Sequence, residues 1–174
     1  MRADEAATNI RILVLDVDGV LTDGGLHYGP EGDISKRFHV QDGLGIKVAQ
    51  RAGLEIAVMT GLEHGGVTAR VAELGITEYV CGHVKKLPHL HEMAERRGIT
   101  LTEVAYLGDD WVDAGPMRSV GLPMAVADAR PEILELAAWV SSRKGGHGAV
   151  REAIDYILRS QGLLQHAWEE WTGP

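Results

Sequence analysis

Short apolar runs alternate along the chain with longer segments whose apolar residues recur at helical spacing. The apolar runs predict strands at residues 12–15, 55–59, 78–81, 103–107, 122–126 and 138–140. The longer segments predict helices at residues 42–52, 63–74, 86–97, from 110 onwards, 131–137 and 148–160. Repeated alternation of this kind is typical of a parallel sheet with helices on both faces. The sequence therefore predicts an α/β fold with a Rossmann-like, mostly parallel sheet.

Length and composition restrict the kind of protein further. With 174 residues, of which 45% are hydrophobic, the chain can bury one continuous core, and we expect a single domain over residues 1–174. No apolar run approaches the roughly 20 residues of a membrane-spanning helix, and residues 1–9 contain no hydrophobic signal segment. The formal charge of −8 argues against a nucleic-acid partner, and the single cysteine fits a reducing compartment. We therefore expect a cytoplasmic protein with no membrane partner.

Two segments lie outside the strand–helix alternation. Gly-Pro and Glu-Gly turn signals at 29–32 predict a protruding β-hairpin over residues 25–39. In the C-terminal tail, residues 161–174, Leu164, Trp168 and Trp171 recur at helical spacing. The tail is therefore either a last helix packed on its own core or a docking segment for a neighbouring subunit.

Polar residues follow four of the predicted strands, at the point where each strand ends. They are Asp16 and Asp18, then Thr60 and Gly61, then Lys85 and Lys86, and finally Gly108, Asp109 and Asp110. Ligands of open α/β sheets bind outside the carboxyl ends of the strands, where these side chains would meet. Each group taken alone also fits a tight turn, a helix start or a solvated lysine, but their joint occurrence favours a functional site.

The acidic residues at two strand ends predict a site for a hard cation. Asp16 and Asp18 are two residues apart at a strand end and so point to one side, where Asp109 from another strand can join them. Oxygen ligands of this kind suit Mg²⁺. Without a cation, crowded carboxylates repel one another, which raises their pKa values.

These residues resemble the four signature motifs of the phosphatases of the haloacid dehalogenase superfamily. The matching stretches are DVDGVLTDG from Asp16, MTG ending at Gly61, the lysine Lys86 and GDDWVD ending at Asp113, in the family order. Bacterial receiver domains share similar residue types, but there the phosphorylated aspartate ends the third strand. A P-loop is excluded because the sequence contains no GxxxxGK[ST] motif.

The resemblance assigns the acidic residues their chemical roles. It implies that Asp16 is the nucleophile that forms an aspartyl-phosphate and that Asp18 is the general acid and then the general base. It implies that Mg²⁺ is held by Asp16, the backbone carbonyl of Asp18 and Asp109, with Asp110 or Asp113 ordering metal-bound water.

The resemblance also assigns roles to the remaining motif residues and fixes the subgroup. It implies that Thr60 and the amide of Gly61 bind phosphoryl oxygens and that Lys86 neutralises charge between nucleophile and phosphate. The chain between Asp18 and Thr60, and that between Thr60 and Lys86, leaves no room for the cap domain that many superfamily members carry. We therefore expect a capless enzyme.

Within the capless group, the chain resembles the 3-deoxy-D-manno-octulosonate 8-phosphate phosphatase family over nearly its whole length. The additional matches are the hairpin and the stretches 38–45, 127–129 and 143–152. The resemblance implies a homotetramer that binds a sugar-acid phosphate, with the hairpins at its centre and either the 143–151 segment or the tail near a neighbour's active site. It implies a substrate site formed by Asp18, His39, Val40, Gln41, Asp42, Gly43, Lys47, Thr60, Gly61, Arg70 and Lys86.

Two residues depart from that family's pattern and leave alternatives open. Leu62 stands where the family usually has an arginine, and Lys85 stands where it commonly has an aspartate. Leucine cannot replace a bidentate guanidinium, so a nine-carbon, sialic-acid-type 9-phosphate is an alternative substrate. A non-catalytic regulatory relative is a further alternative, although the chain retains every motif residue that such relatives usually lose.

Overall fold

The computed structural model describes residues 3–173 and contains a six-stranded parallel sheet. Its strands are β1 (Ile12–Leu15), β4 (Glu55–Met59), β5 (Glu78–Val80), β6 (Val104–Gly108), β7 (Leu122–Ala125) and β8 (Trp139–Val140). The strands lie in the order β5-β4-β1-β6-β7-β8, and every neighbouring pair is parallel. The predicted α/β fold with a mostly parallel sheet is therefore confirmed.

Helices surround the sheet, and most of them belong to one of two groups whose members contact one another. They are α1 (Ala3–Ala7), α2 (Val40–Arg51), α3 (Gly65–Glu73), α4 (Leu87–Arg97), α5 (Ala114–Met117), α6 (Pro131–Leu136), α7 (Ala149–Ser160) and α8 (Leu164–Thr172). In one group α7 contacts α1, α2 and α8, and in the other α5 contacts α4 and α6. The central strands β1 and β6 are buried along their whole length, which explains why they read as continuous apolar runs.

The register of the central strands brings the predicted motif residues to one edge of the sheet. Leu15, the last residue of β1, pairs with Val58 on β4 and with Leu107 on β6. The residues that follow these three strands therefore leave the sheet side by side. All four residues of β1 are buried, so this edge rests on the hydrophobic core.

A small antiparallel hairpin projects from the sheet. Its strands, β2 (His27–Tyr28) and β3 (Ile34–Ser35), contain only two residues each, and Tyr28 is 68% exposed. The remainder of the predicted 25–39 hairpin is irregular apart from one antiparallel bridge between Thr22 and Phe38.

The structure differs from the sequence-based prediction at three elements. Helix α1 was not predicted, because its five residues carry too little periodicity to be recognised. The helix expected from residue 110 is a short 3₁₀ turn, Trp111–Asp113, followed by the four-residue α5, since Gly115 and Pro116 disfavour a longer helix. In the tail, α8 buries Ala167 and packs Leu164 and Trp171 on the core, whereas Trp168 is 62% exposed.

The tail therefore packs largely on its own chain, as the first of the two alternatives proposed. The guanidinium of Arg51 on α2 lies 4.4 Å from the ring centroid of Trp171 and adds a cation–π contact. Among residues 3–173, the helices are all too short or too polar to cross a membrane.

Candidate active site

A tight loop, Val17–Leu21, carries the chain away from β1 and positions the first motif. Gly19 has φ of +87°, a left-handed conformation that glycine adopts without strain. A Cβ atom added to Gly19 would lie 2.0 Å from Oδ2 of Asp109. The glycine therefore lets the carboxylate that follows β6 approach the loop that follows β1. The hydroxyl of Thr22 closes the loop by donating to the carbonyl of Val17 at 3.2 Å.

A cavity of about 240 Å³ opens where the strand ends meet. It is lined by Asp16, Asp18, Thr60, Gly61, Leu62, Val84, Lys86, Asp109, Asp110 and Val112. The structure thus brings together every catalytic and metal-binding candidate of the sequence analysis. Leu62, Val84 and Val112 are exposed and form an apolar rim around a polar floor.

Lys86 lies at the floor of the cavity, where its ammonium bridges two carboxylates. It precedes α4, and its Nζ lies 2.7 Å from Oδ1 of Asp16 and 2.7 Å from Oδ1 of Asp113. Burial lowers the pKa of Lys86, but the charges of Asp16 and Asp113 raise it more, so its pKa is above the ordinary lysine value. The lysine is therefore a fixed positive charge beside Asp16.

Asp113 holds this lysine in place, and the role that the resemblance implies for it, ordering metal-bound water, stays a prediction. Its Oδ1 also accepts a hydrogen bond from the hydroxyl of Tyr106 at 2.7 Å, and its Oδ2 accepts from the amide of Asp109 at 3.0 Å. Asp110 is exposed and accepts from the amide of Trp111 at 2.7 Å, so it caps the 3₁₀ turn. The sequence analysis did not predict the contact of the buried Tyr106 with Asp113, because a tyrosine within an apolar strand is typical of the core.

Three carboxylates form a cluster suited to a divalent cation. Asp16, Asp109 and Asp113 each offer one oxygen, and these oxygens lie within 4.8 Å of one another. Oδ1 of Asp109 is buried and accepts no hydrogen bond from the protein. Burial and the neighbouring carboxylates raise the pKa of Asp109 to about 8, and burial followed by the charge of Asp113 raises the pKa of Asp16 to about 7. A bound cation would relieve this repulsion, so the residues present fit a metal site.

Thr60 and Gly61 lie on the side of the cavity that follows β4. Thr60 is buried, and its amide donates to the carbonyl of Val80 at 2.9 Å, which fixes its backbone. Its hydroxyl accepts from the amide of Leu62 at 3.4 Å. Thr60 and Gly61 thus both lie at the wall of the cavity.

A lysine from the hairpin segment, which the sequence analysis missed, contacts Asp18. Nζ of Lys36 lies 2.5 Å from Oδ1 of Asp18, and the lysine side chain is only 2% exposed. Lys36 follows β3 in a polar stretch where sequence alone gives no signal of burial. Asp18 is thus held by an ion pair and stands outside the carboxylate cluster.

The remaining substrate-site candidates do not line the cavity of their own chain. Residues 39–43 begin α2, and Arg70 on α3 pairs with Glu73 at 2.9 Å. A Cβ on Gly43 would lie 2.2 Å from Nη2 of Arg70, so the arginine packs directly beneath this segment. Lys47 lies further along α2, with its Nζ close to Gly75 at the end of α3.

Within that segment, Asp42 links two helices. It is buried, and its carboxylate accepts hydrogen bonds from the amides of Gly148 at 3.3 Å and Arg151 at 2.8 Å, at the start of α7. Burial raises the pKa of Asp42, and these amides partly offset the shift. Beside it, Nδ1 of His39 is buried without a hydrogen-bond partner, and Val40 and Gln41 are exposed.

The glycine-rich stretch before α7 packs against the Val17–Leu21 loop of its own chain. The amide of Gly146 donates to the carbonyl of Val20 at 2.9 Å, and the amide of Gly145 donates to Oδ1 of Asp128 at 3.0 Å. A Cβ on Gly145 would lie 1.7 Å from the carbonyl oxygen of Gly19. A side chain would not fit at this distance, so contacts within one chain explain why glycine occurs here.

Comparison with known proteins agrees with this arrangement. A family model described as haloacid dehalogenase-like hydrolase matches residues 71–154. The chain is 45% identical over 161 residues to 3-deoxy-D-manno-octulosonate 8-phosphate phosphatase KdsC of Escherichia coli K12, covering 92% of this chain and 86% of the relative.

Two solved structures share both the fold and much of the sequence. The 3-deoxy-D-manno-octulosonate 8-phosphate phosphatase of Yersinia pestis is 41% identical with a TM-score of 0.92, over 94% of this chain and 88% of that chain. The Moraxella catarrhalis enzyme, in complex with a magnesium ion, a phosphate ion and a KDO molecule, is 33% identical with a TM-score of 0.95, over 98% of each chain. The chain belongs to the 3-deoxy-D-manno-octulosonate 8-phosphate phosphatase family of haloacid dehalogenase-like hydrolases.

Proposed function

We propose that this protein is a Mg²⁺-dependent phosphatase that hydrolyses 3-deoxy-D-manno-octulosonate 8-phosphate to the free sugar acid and inorganic phosphate. The observation that carries the proposal is the buried contact of Asp16 with Lys86, at 2.7 Å, inside a cavity that also contains Thr60 and Asp109. A carboxylate beside a fixed ammonium and a hydroxyl is the equipment that phosphoryl transfer requires.

Asp16 is the nucleophile of the proposed reaction. Its carboxylate oxygen attacks phosphorus, and the bond between phosphorus and the sugar oxygen breaks with its electron pair on that oxygen. Lys86 offsets the negative charge that nucleophile and phosphate bring together, and Asp113 and Tyr106 keep its ammonium in place. Thr60 and the amide of Gly61 bind the phosphoryl oxygens.

Asp18 moves the proton in both halves of the reaction. It gives its proton to the departing sugar oxygen, and as a carboxylate it then takes a proton from the water that attacks the aspartyl-phosphate on Asp16. Asp16, the backbone carbonyl of Asp18 and Asp109 would hold Mg²⁺. When bound, Mg²⁺ supplies positive charge that lets the anionic nucleophile and the phosphate approach each other.

The substrate assignment rests on the family to which the chain belongs. The test measures phosphate release with Mg²⁺ from 3-deoxy-D-manno-octulosonate 8-phosphate, N-acetylneuraminate 9-phosphate and a simple hexose 6-phosphate. We expect the highest kcat/KM for the first ester and loss of activity with EDTA. Equal or higher kcat/KM for the nine-carbon ester would overturn the assignment, because Leu62 would then mark a different specificity.

We also propose that the protein is a single domain that acts in the cytoplasm as a homotetramer, in lipopolysaccharide biosynthesis. Residues 39–43, Lys47 and Arg70 lie outside their own chain's cavity, and a neighbouring chain brought against the apolar rim would close the open site. Sedimentation equilibrium tests the assembly: we expect a mass of four chains of 18.8 kDa. A fully active monomer would contradict it.

A further inference from the structure

Lys36 contacts Asp18, a residue that lines the active-site cavity, and its own role is so far unexplained. Its side chain is almost fully buried, and its Nζ donates to Oδ1 of Asp18. Lysine is almost never buried unless its charge is paired, because burial removes the water that solvates the ammonium. The contact with Asp18 is therefore what allows Lys36 to be buried, and it fixes the Asp18 carboxylate in turn.

We propose that Lys36 is a positioning residue for the general acid. By donating to Oδ1 it leaves Oδ2 of Asp18 as the oxygen that carries the proton, and it restricts the rotation of the carboxyl group. The inference rests on the proposed role of Asp18 and deepens it. It also makes the hairpin segment part of the catalytic apparatus, since Lys36 directly follows β3.

In the proposed step, Lys36 acts only through Asp18. When the bond from phosphorus to the sugar oxygen breaks, that oxygen takes the proton from Oδ2 of Asp18. Lys36 keeps its three protons throughout, and its charge partners the carboxylate that this transfer leaves behind. Its effect on the steps up to formation of the aspartyl-phosphate should therefore appear only when the leaving oxygen needs a proton.

The adjacent Arg37 provides a matched control. Its Nε donates to Oδ2 of Asp23 at 3.0 Å and its Nη2 donates to the carbonyl of Gly146 at 3.3 Å. These contacts anchor the same segment of chain without touching Asp18. Arg37→Met therefore removes a cation and loosens the hairpin, whereas Lys36→Met does the same and also frees Asp18.

The test compares kcat/KM for two esters, because this ratio reports on the steps up to formation of the aspartyl-phosphate. One is the sugar-acid phosphate, whose alkoxide leaving group needs a proton, and the other is p-nitrophenyl phosphate, whose phenolate does not. General acid catalysis contributes about 10²–10⁴-fold, so Asp18→Asn should lose about that factor on the sugar ester alone. We expect Lys36→Met to lose about 10-fold or more on the sugar ester and less than about 3-fold on the aryl ester.

A double-mutant comparison separates this inference from the proposed function. Added to Asp18→Asn, Lys36→Met should cause no further loss on the sugar ester, and Arg37→Met should affect both esters equally. Suppose that Asp18→Asn lowers kcat/KM for the sugar ester alone, but Lys36→Met lowers kcat/KM equally for both esters. Lys36 is then merely structural, and the inference is overturned. If Asp18→Asn itself lowers kcat/KM equally for both esters, the proposed role of Asp18 fails. Thermal melting of each variant confirms that the measured protein is folded.

Discussion

Asp109→Asn should make the metal-free protein more stable while it removes activity. Burial and the charges of Asp16 and Asp113 raise the pKa of Asp109 from 3.8 to about 8, so the folded state holds a proton that the unfolded state releases. Between those two values, the stability of the metal-free protein therefore falls as the pH rises. The full shift of about 4 pKa units corresponds to ~6 kcal/mol.

Asp109→Asn should recover only part of that energy. Asp109 is half-buried and shares the repulsion with Asp16, and after discounting for solvent screening we expect a gain of about 1–3 kcal/mol at pH 8. At about 2–4 °C per kcal/mol for a domain of this size, Tm should rise by about 2–12 °C. The gain should shrink towards pH 5, where the wild-type carboxyl is already protonated in the folded state.

The assay is thermal melting with EDTA and with saturating Mg²⁺, at pH 5 and pH 8. Mg²⁺ at about 100 times its Kd should stabilise the wild type by about 2.7 kcal/mol and should stabilise Asp109→Asn much less. Asp155→Asn is the control, because it removes a charge that pairs with Arg151 outside the site. A lower Tm for metal-free Asp109→Asn at pH 8, or equal stabilisation by Mg²⁺, would refute the reasoning.

Three further substitutions test the site. Asp16→Asn should abolish phosphate release, because the amide cannot attack phosphorus. Its Tm should stay within a few degrees of wild type or rise, because the amide has the same volume. Phosphate release by this variant at the wild-type rate would contradict the prediction. Tyr106→Phe should lower kcat/KM about 10-fold by loosening the carboxylate that holds the catalytic lysine, whereas Tyr156→Phe, outside the site, should leave kcat/KM unchanged. Gly19→Ala should weaken Mg²⁺ binding in calorimetry, because its Cβ would displace Asp109; unchanged affinity counts against the close approach.

The strand ends were predictable because their signals are local and ordered along the chain. Buried parallel strands read as apolar runs, and the polar residues that follow them must meet at one edge of the sheet. Asp16, Thr60 and Asp109 therefore came together without knowledge of any contact. The place of Lys86 beside Asp16 followed from the resemblance and from the position of the lysine after a predicted strand.

The contacts that support these residues were not predictable, because they join segments that are distant in sequence. Lys36 lies in a polar hairpin and becomes buried only because Asp18 is next to it in space. Tyr106 faces Asp113 from within an apolar strand, where nothing distinguishes its hydroxyl from a core position. Arg70 was taken from the resemblance, and a single chain gives it no contact with the cavity.

The central claim is that Asp16 carries the phosphoryl group during turnover. The most direct measurement quenches the enzyme with acid during a single turnover, reduces it with borohydride and locates the product by peptide mass spectrometry. An aspartyl-phosphate is reduced to homoserine, so we expect homoserine at position 16 and none in Asp16→Asn. With p-nitrophenyl phosphate, whose leaving group needs no proton, Asp18→Asn should give more homoserine than the wild type, because only hydrolysis of the intermediate is slowed. Homoserine at the position of another aspartate would contradict the account. So would turnover without homoserine in both the wild type and Asp18→Asn.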